Sequence, residues 1–194
     1  MIKIITNKIN DWLKSKNVID SGEEELLYYG ISQIIINSVV ICINLIIAFL
    51  LNEFVECIVF LVCFFFLRRY AGGYHAKTAI SCCVISVISC AVVIFALHYI
   101  NIKFAYLAGA WLVCLIIIIL FAPVQNENKI LDDIEKIIYK RRTIIGVLIE
   151  SILLWLMQYF ELYNISKAIV LTFIFAAVVI SYGEILNIKN DINN

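Results

Sequence analysis

Charged residues and proline are scarce in this sequence. Asp, Glu, Lys and Arg make up 15% of its 194 residues, and Pro123 is the only proline. Soluble domains carry about 25% charged and about 45–50% apolar residues, whereas this chain is 63% hydrophobic with a mean hydropathy of +0.98. The composition excludes an ordinary water-soluble domain and indicates insertion into a lipid bilayer.

The N-terminal region lacks the features of a secretory signal. Its charged residues are scattered, and no compact apolar stretch precedes a cleavage site of small residues. Apolar side chains instead recur at helical spacing among four lysines, at Ile2, Ile5, Ile9, Trp12 and Leu13. We expect residues 1–20 to form an amphipathic helix on the membrane surface, with a frayed polar tail as the alternative.

The apolar segments are continuous, unlike the alternating strands of a β-barrel, and predict an all-α polytopic integral membrane protein. Residues 1–194 form a single domain with about six transmembrane helices, at 30–51, 54–67, 79–100, 104–121, 143–163 and 165–186. Five are long enough to cross a hydrocarbon core of about 30 Å. The segment 54–67 is shorter, so it must borrow flanking residues, tilt or thin the bilayer.

The distribution of Lys and Arg predicts the orientation. Thirteen lie in the N-terminal region, the 68–78 loop, the 122–142 loop and the C-terminal tail, whereas the alternate loops hold only Lys103 and Lys167. Basic loops favour the cytoplasmic side, so both termini are predicted to be cytoplasmic. The formal net charge of zero says little about partners, and we predict no nucleic-acid partner.

The 122–142 loop begins with Ala122 and Pro123 and continues as an amphipathic stretch. Its apolar face carries Ile130, Leu131, Ile134, Ile137 and Ile138, and basic residues end it. This pattern predicts an interfacial helix against the cytoplasmic leaflet ahead of the fifth span. Contact of its basic residues with an acidic peptide is an additional hypothesis.

The stretch from Arg68 to Cys83 concentrates the residues that could carry chemistry. It places His75 and Cys82 near two adjacent glycines, on the predicted cytoplasmic rim of two spans. Thr78 is a plausible N-cap for the helix that carries Cys82. A thiol in the first turn of a helix experiences the positive end of the macrodipole, which favours the thiolate.

His75 is a candidate general base for Cys82. In one unbroken helix, seven residues would separate them by about 10 Å, so the chain must fold back, and Gly72 with Gly73 would permit such a turn. The alternative is that His75 is an interfacial side chain and Cys82 a packing residue, like most of the seven cysteines. We predict no metal site or cofactor, because His98 lies at the opposite end of the third span.

At this point the sequence resembles the accessory gene regulator protein B (AgrB) family, membrane cysteine endopeptidases of bacterial peptide quorum sensing. The resemblance covers nearly the whole chain in size and span arrangement, and its specific part consists of Arg68, Arg69, Gly73, His75 and Cys82. Ala122 and Pro123 also match. The chain departs from the family where Ile130 and Leu131 replace a frequent Pro-Ile after Asn-Lys, so no function is carried onto that segment.

The resemblance implies a thiol protease with Cys82 as nucleophile and His75 as general base, supported by Arg68 through charge or phosphate anchoring and by Gly73 through backbone shape. Cys83 is displaced by one position and would point about 100° away on a helix. The implied substrate is an AgrD-type propeptide, whose acidic tail is removed at the cytoplasmic face before cyclisation of the autoinducing peptide. A bacterial multi-pass cell-membrane protein that forms a homodimer is expected.

Two buried carboxylates and two rival functions remain open. Glu150 and Glu184 lie inside apolar segments, where each is either functional or paired with a snorkelling Lys or Arg, and pairing is favoured slightly. One rival function is a small peptide exporter with Asn44, Glu150 and Gln158 along its path. The other is a non-catalytic membrane scaffold whose cysteines only pack.

Overall fold

A computed structural model describes residues 24–73, 79–100, 102–125 and 132–193 of the protein. Within these ranges the regular elements are six helices, α1 (Glu24–Leu50), α2 (Phe54–Ala71), α3 (Ala79–Tyr99), α4 (Phe104–Phe121), α5 (Asp133–Tyr159) and α6 (Tyr163–Asn193). The described part contains no strand, only an isolated parallel bridge between Gly72 and Val124. The predicted all-α fold is therefore confirmed.

Among the described residues, three helices are long and apolar enough to cross a membrane: α4, α5 and the Tyr163–Lys189 part of α6. Large apolar side chains point outward on them, as Leu120 and Ile152 do with 66% exposure each. Such a surface is stable against lipid tails and unfavourable against water. The chain is a membrane protein; the crossing by all six helices stays a prediction, and the N-terminal helix at 1–20 lies outside the described residues.

Several helices differ in extent from the predicted spans; α1 begins at Glu24 and α6 ends at Asn193. α2 continues to Ala71, four residues beyond the predicted end at 67. α5 begins at Asp133, where the Asp132 N–H donates to the Glu135 carboxylate over 3.2 Å in a capping box. From Asp133 onward, the stretch predicted as a separate interfacial helix is the first part of α5 itself. The two are continuous because no proline or glycine separates the cap from the span, and the position of this first part at the cytoplasmic leaflet stays a prediction.

Helix α6 is the central element of the bundle. It packs against α2, α3, α4 and α5. Its fully buried Phe173 belongs to a core to which the other helices contribute Leu67 from α2, Ile118 from α4 and Leu154 from α5. Interlocked side chains of this kind hold helices together in lipid, where water supplies no hydrophobic driving force between them.

A second core joins α1 and α3 to the rest of the bundle. It contains Ala48 of α1, Cys57 of α2, Ile94 of α3 and Ala168 of α6. Helix α3 packs mainly on α1. The helix that carries Cys82 therefore belongs to this second core.

The two ends of the bundle can be told apart by their contacts. At one end, which we call the Gly72 end, the last turn of α2 meets the residues after α4 and the last turns of α6. At the opposite end, which we call the Glu53 end, Glu53 Oε1 lies 3.5 Å from His98 Nδ1. Lys167 there donates to the carbonyl oxygens of Leu97, at 2.7 Å, and of Ile100.

Candidate active site at the Gly72 end

The end of α2 is capped by its own arginine. Arg68 Nη1 donates to the carbonyl oxygen of Gly72 over 2.5 Å. A cation at a helix C-terminus satisfies a carbonyl that has no partner within the helix and interacts favourably with the macrodipole. Arg68 thus shapes the chain as it leaves α2. Phosphate anchoring, the other role expected for it, stays a prediction.

Gly72 and Gly73, which we call the Gly72 turn, adopt backbone conformations that other residues rarely reach. Their φ angles are +74° and +105°. A Cβ atom on Gly73 would lie 2.8 Å from Arg68 Nη1 and 3.0 Å from the Val179 carbonyl oxygen. Arg68 and Gly73, predicted separately as supporting residues, are therefore brought together, and only glycine fits between the arginine and α6.

The residues that follow α4 hold the Gly72 turn in place. The Val124 N–H donates to the Ala71 carbonyl oxygen over 2.9 Å, and the Gly73 N–H donates to the Val124 carbonyl oxygen over 3.3 Å. The peptide bond between Ala122 and Pro123 is cis. Ala122 and Pro123, the second part of the family resemblance, therefore lie directly beside the turn whose glycine is in the first part.

Helix α6 fastens the same residues from the other side. Asn187 Nδ2 donates to the Gln125 carbonyl oxygen over 2.9 Å. The turn thus contacts α6 at Val179, and its partner segment contacts α6 again at Asn187. These two contacts and the bridge to Val124 join three parts of the chain that are distant in sequence.

Aromatic and basic side chains connect the end of α2 to α5. The rings of Tyr70 and Tyr139 meet edge to face, with centroids 6.0 Å apart. The Arg142 guanidinium carbon lies 5.3 Å from the centroid of the Tyr70 ring, within the range of a cation–π interaction. This contact places a basic residue of α5 next to the last turn of α2.

The two predicted catalytic residues follow this turn in the sequence. His75 lies outside the described residues, two positions after Gly73 in the sequence. Cys82 is the fourth residue of α3 and thus lies in its first turn; its side chain and that of Cys83 are outside the described part. The catalytic pair therefore stays a prediction, as does the Thr78 cap.

Glu150 lies away from this turn. It is only 4% exposed, and its Oε2 has no hydrogen-bond partner among the described residues. Arg142, eight residues earlier on α5, contacts Tyr70 in the last turn of α2, so Glu150 lies about 12 Å of helix further along α5. The favoured ion pair with Lys or Arg is not found in the described part of the chain. Glu184 is half-buried on α6.

The residues suggested for an export path do not come together. Asn44 is completely buried on α1, which packs against α2 and α3, whereas Glu150 is on α5, which packs against α2, α4 and α6. Gln158 accepts a hydrogen bond from Ser166 over 3.0 Å at the turn between α5 and α6. Among the described residues, Asn44 therefore lies on a helix that makes no extensive contact with α5, which carries both Glu150 and Gln158.

Sequence reasoning missed three residues of this site: Val124, Val179 and Asn187. Val124 and Val179 act through their backbone atoms, which carry no signal in the sequence. Asn187 is an ordinary polar residue near the end of an apolar helix, and its partner Gln125 is 62 residues away. Only the proline before Val124 marks its segment as irregular.

Comparison with known proteins agrees with the resemblance. A family model described as accessory gene regulator B matches residues 3–180. The accessory gene regulator protein B of Staphylococcus saprophyticus is 28% identical over 132 residues, which cover 66% of this chain and 70% of that protein. The protein of the same name from Staphylococcus aureus strain JH9 is 27% identical over 126 residues, 63% of this chain and 67% of that protein.

A putative AgrB-like protein of Clostridium perfringens strain SM101 is 26% identical over 136 residues, 66% of this chain. The chain spans 64% of that relative's length, just under two thirds. No solved structure matches the chain. Since the family model covers most of the sequence, including the Gly72 turn and the Val124 segment, the chain belongs to the accessory gene regulator B family.

Proposed function

We propose that this protein is a membrane cysteine endopeptidase of a bacterial quorum-sensing system, and that it processes a propeptide of the AgrD type. One observation carries the proposal. Arg68 donates to the Gly72 carbonyl oxygen beside Gly73, two residues before His75 in the sequence, and Cys82 lies in the first turn of the next helix. Family membership supplies the class of reaction.

In the first half of the reaction, the Cys82 thiol is the nucleophile and His75 is the base. His75 takes the thiol proton as sulfur attacks the carbonyl carbon of the peptide bond before the acidic tail. The C–N bond then breaks, and His75 returns the proton to the leaving amine. The tail departs with a new N-terminus, and the signal segment remains on Cys82 as a thioester.

In the second half, an internal Cys or Ser of the bound peptide attacks the thioester. The ring closes as a thiolactone or a lactone, and Cys82 recovers its proton through His75. Exchange of one thioester for another costs little free energy, because a thiolate is a good leaving group. An internal nucleophile that is held in place outcompetes water through its high effective molarity, and restricted water in the headgroup region reinforces this preference.

The orientation follows from the basic residues. Thirteen Lys and Arg residues flank one side of the predicted spans, including Arg68, Arg69 and Arg142 near the Gly72 end. We place the Gly72 end and both termini at the cytoplasmic face of the bacterial cell membrane. The substrate is then cleaved where it is synthesised, and a homodimer is the expected assembly from the family.

The exporter is the weaker alternative. A transport path needs polar groups that line one continuous route between helices, whereas among the described residues the helix of Asn44 makes no extensive contact with α5, which carries Glu150 and Gln158. The scaffold alternative predicts that no cysteine has a special role. Both are distinguished from the peptidase by the experiment below.

The test is co-expression of the protein with its candidate propeptide in bacterial membranes, followed by mass spectrometry of the peptide. Four proteins are compared: wild type, Cys82→Ala, His75→Ala and Cys83→Ala. Cys83 is the matched control, because it is the neighbouring thiol on the same turn of α3. We expect tail removal by wild type and by the Cys83 variant, and none by the other two.

A trapped thioester gives a second readout. The wild-type protein is denatured in acid during turnover, and its mass should increase by that of the propeptide without its acidic tail, less one water, with hydroxylamine releasing the adduct. The proposal fails if all four proteins process the peptide, or if none does at normal membrane levels. The exporter or scaffold function then becomes the better explanation.

A further inference from the structure

The segment Ala122–Gln125 is held between two other parts of the chain. On one side, Val124 exchanges two hydrogen bonds with Ala71 and Gly73. On the other side, the Gln125 carbonyl oxygen accepts from Asn187. Ala122 and Val124 are each only 3% exposed, so the segment is packed into the bundle as well as hydrogen-bonded.

This segment controls where the chain goes after α2. A residue that leaves a helix C-terminus at a glycine can take many directions, because glycine has the widest backbone freedom. Here the Gly73 N–H is fixed by Val124, and the Gly73 Cα is enclosed by Arg68 and Val179. The start of the chain segment that leads to His75 is therefore Gly73, held by Arg68, Val124 and Val179 from three parts of the chain.

The other end of that segment is also fixed. α3 begins at Ala79, six residues after Gly73. In the sequence, His75 is two positions after Gly73, between these two points, and Cys82 belongs to α3.

We propose that Ala122–Gln125 is a clamp on the Gly72 turn, and that Asn187 is a positioning residue that closes the clamp and thereby sets His75 against Cys82. The inference rests on the proposed function for its catalytic consequence. Asn187 lies beyond residue 180, where the match to the family model ends. Asn187 is half-buried, and in the sequence it is far from both predicted catalytic residues. It therefore acts through Gln125, Val124 and Gly73.

The test compares three variants in detergent-purified, full-length protein with the propeptide as substrate. Asn187→Leu keeps the approximate volume and removes the N–H donor, whereas Asn187→Gln retains a donor. Lys189→Ala is the matched control, because Lys189 is an exposed residue on the same last turns of α6. The readouts are kcat and KM for tail removal, together with hydrogen exchange at the Val124 amide.

We expect Asn187→Leu to lower kcat roughly ten- to a hundredfold, since small misplacement of reacting groups has effects of this size. KM should stay near the wild-type value, because the proposed role of Asn187 involves no contact with the peptide. Exchange at the Val124 amide should accelerate in the same variant. Asn187→Gln should recover most of kcat, and Lys189→Ala should match wild type in every readout.

The outcomes separate the clamp from the proposed function. If Asn187→Leu accelerates Val124 exchange but turns over at the wild-type rate, Asn187 is not a positioning residue and the proposal is overturned. If exchange is unchanged, the clamp itself is refuted. If wild type does not process the peptide at all, the proposed function fails, and exchange at Val124 still decides whether Asn187 closes the clamp.

Discussion

The replacement of Gly72 by alanine is the sharpest test of the site's geometry. Gly72 has φ +74° and ψ −141°, a combination that is nearly restricted to glycine and costs other residues about 1–3 kcal/mol. An added Cβ would also lie 2.1 Å from the Val124 carbonyl oxygen. Because this neighbour is a backbone atom, it cannot rotate away, and the Val124 segment must move.

That movement breaks the two hydrogen bonds of the bridge, the one from the Val124 N–H to Ala71 and the one from the Gly73 N–H to Val124. At about 0.5–1.5 kcal/mol each, the total loss is roughly 2–6 kcal/mol with the backbone strain included. For a chain of this size, about 2–4 °C of unfolding midpoint is lost per kcal/mol. We expect Gly72→Ala to unfold at least about 4 °C below wild type.

The assay is thermal unfolding in detergent, followed by the fraction of protein that remains in the monodisperse peak of a size-exclusion column. Gly109→Ala is the matched control, because Gly109 is in the middle of α4 and an added Cβ there meets no atom within 4 Å. It should unfold at or above the wild-type temperature. If Gly72→Ala and Gly109→Ala unfold together, the bridge to Val124 does not hold the turn as described.

Three further predictions concern the helix contacts. Cys57 of α2 and Cys90 of α3 are buried in the same core, so in a variant that retains only these two cysteines, iodine should form an intramolecular disulfide, seen as a loss of two mass units. The absence of a cross-link would contradict the packing of α3. Lys167→Met should lower the free energy of unfolding by about 1.5–3 kcal/mol, because it removes charge-assisted hydrogen bonds to two carbonyls at the end of α3. The matched control is Lys103→Met at an exposed position, which should leave the thermal unfolding temperature unchanged. Gly146→Ala should lower the free energy of unfolding by about 1–3 kcal/mol through overpacking, since its Cβ would lie 2.5 Å from the Phe66 ring. If the same substitution lowers the stability of a Phe66→Ala protein equally, that contact is refuted.

The helices could be predicted from the sequence because their cause is local. Runs of apolar residues predict membrane helices wherever lipid must be contacted, and the six helices lie where the six spans were predicted. The end of α2 was predicted too early, because Arg68 and Arg69 were assigned to a loop. They remain helical, since a cation is favourable in the last turn of a helix.

The site was predictable only in part, for the same reason. Arg68 and Gly73 were identified from a motif. In the structure, Arg68 donates to the Gly72 carbonyl oxygen, and a Cβ on Gly73 would lie 2.8 Å from Arg68 Nη1. The contributions of Val124 and Asn187 depend on contacts between distant parts of the chain. No hydrophobic period or spacing encodes such backbone contacts, so their discovery required the packed bundle.

Helix α6 contacts both the helix that carries Cys82 and the Gly72 turn that precedes His75 in the sequence. Near its start, Lys167 donates a hydrogen bond to the Leu97 carbonyl oxygen at the far end of the helix that carries Cys82. At its middle, Val179 lies close to Gly73, and near its finish Asn187 bonds to Gln125. The 31 residues of α6 extend for about 46 Å, longer than the hydrocarbon core of about 30 Å. A bend between Lys167 and Asn187 would therefore shift α3 relative to the Gly72 turn without changing a residue of either.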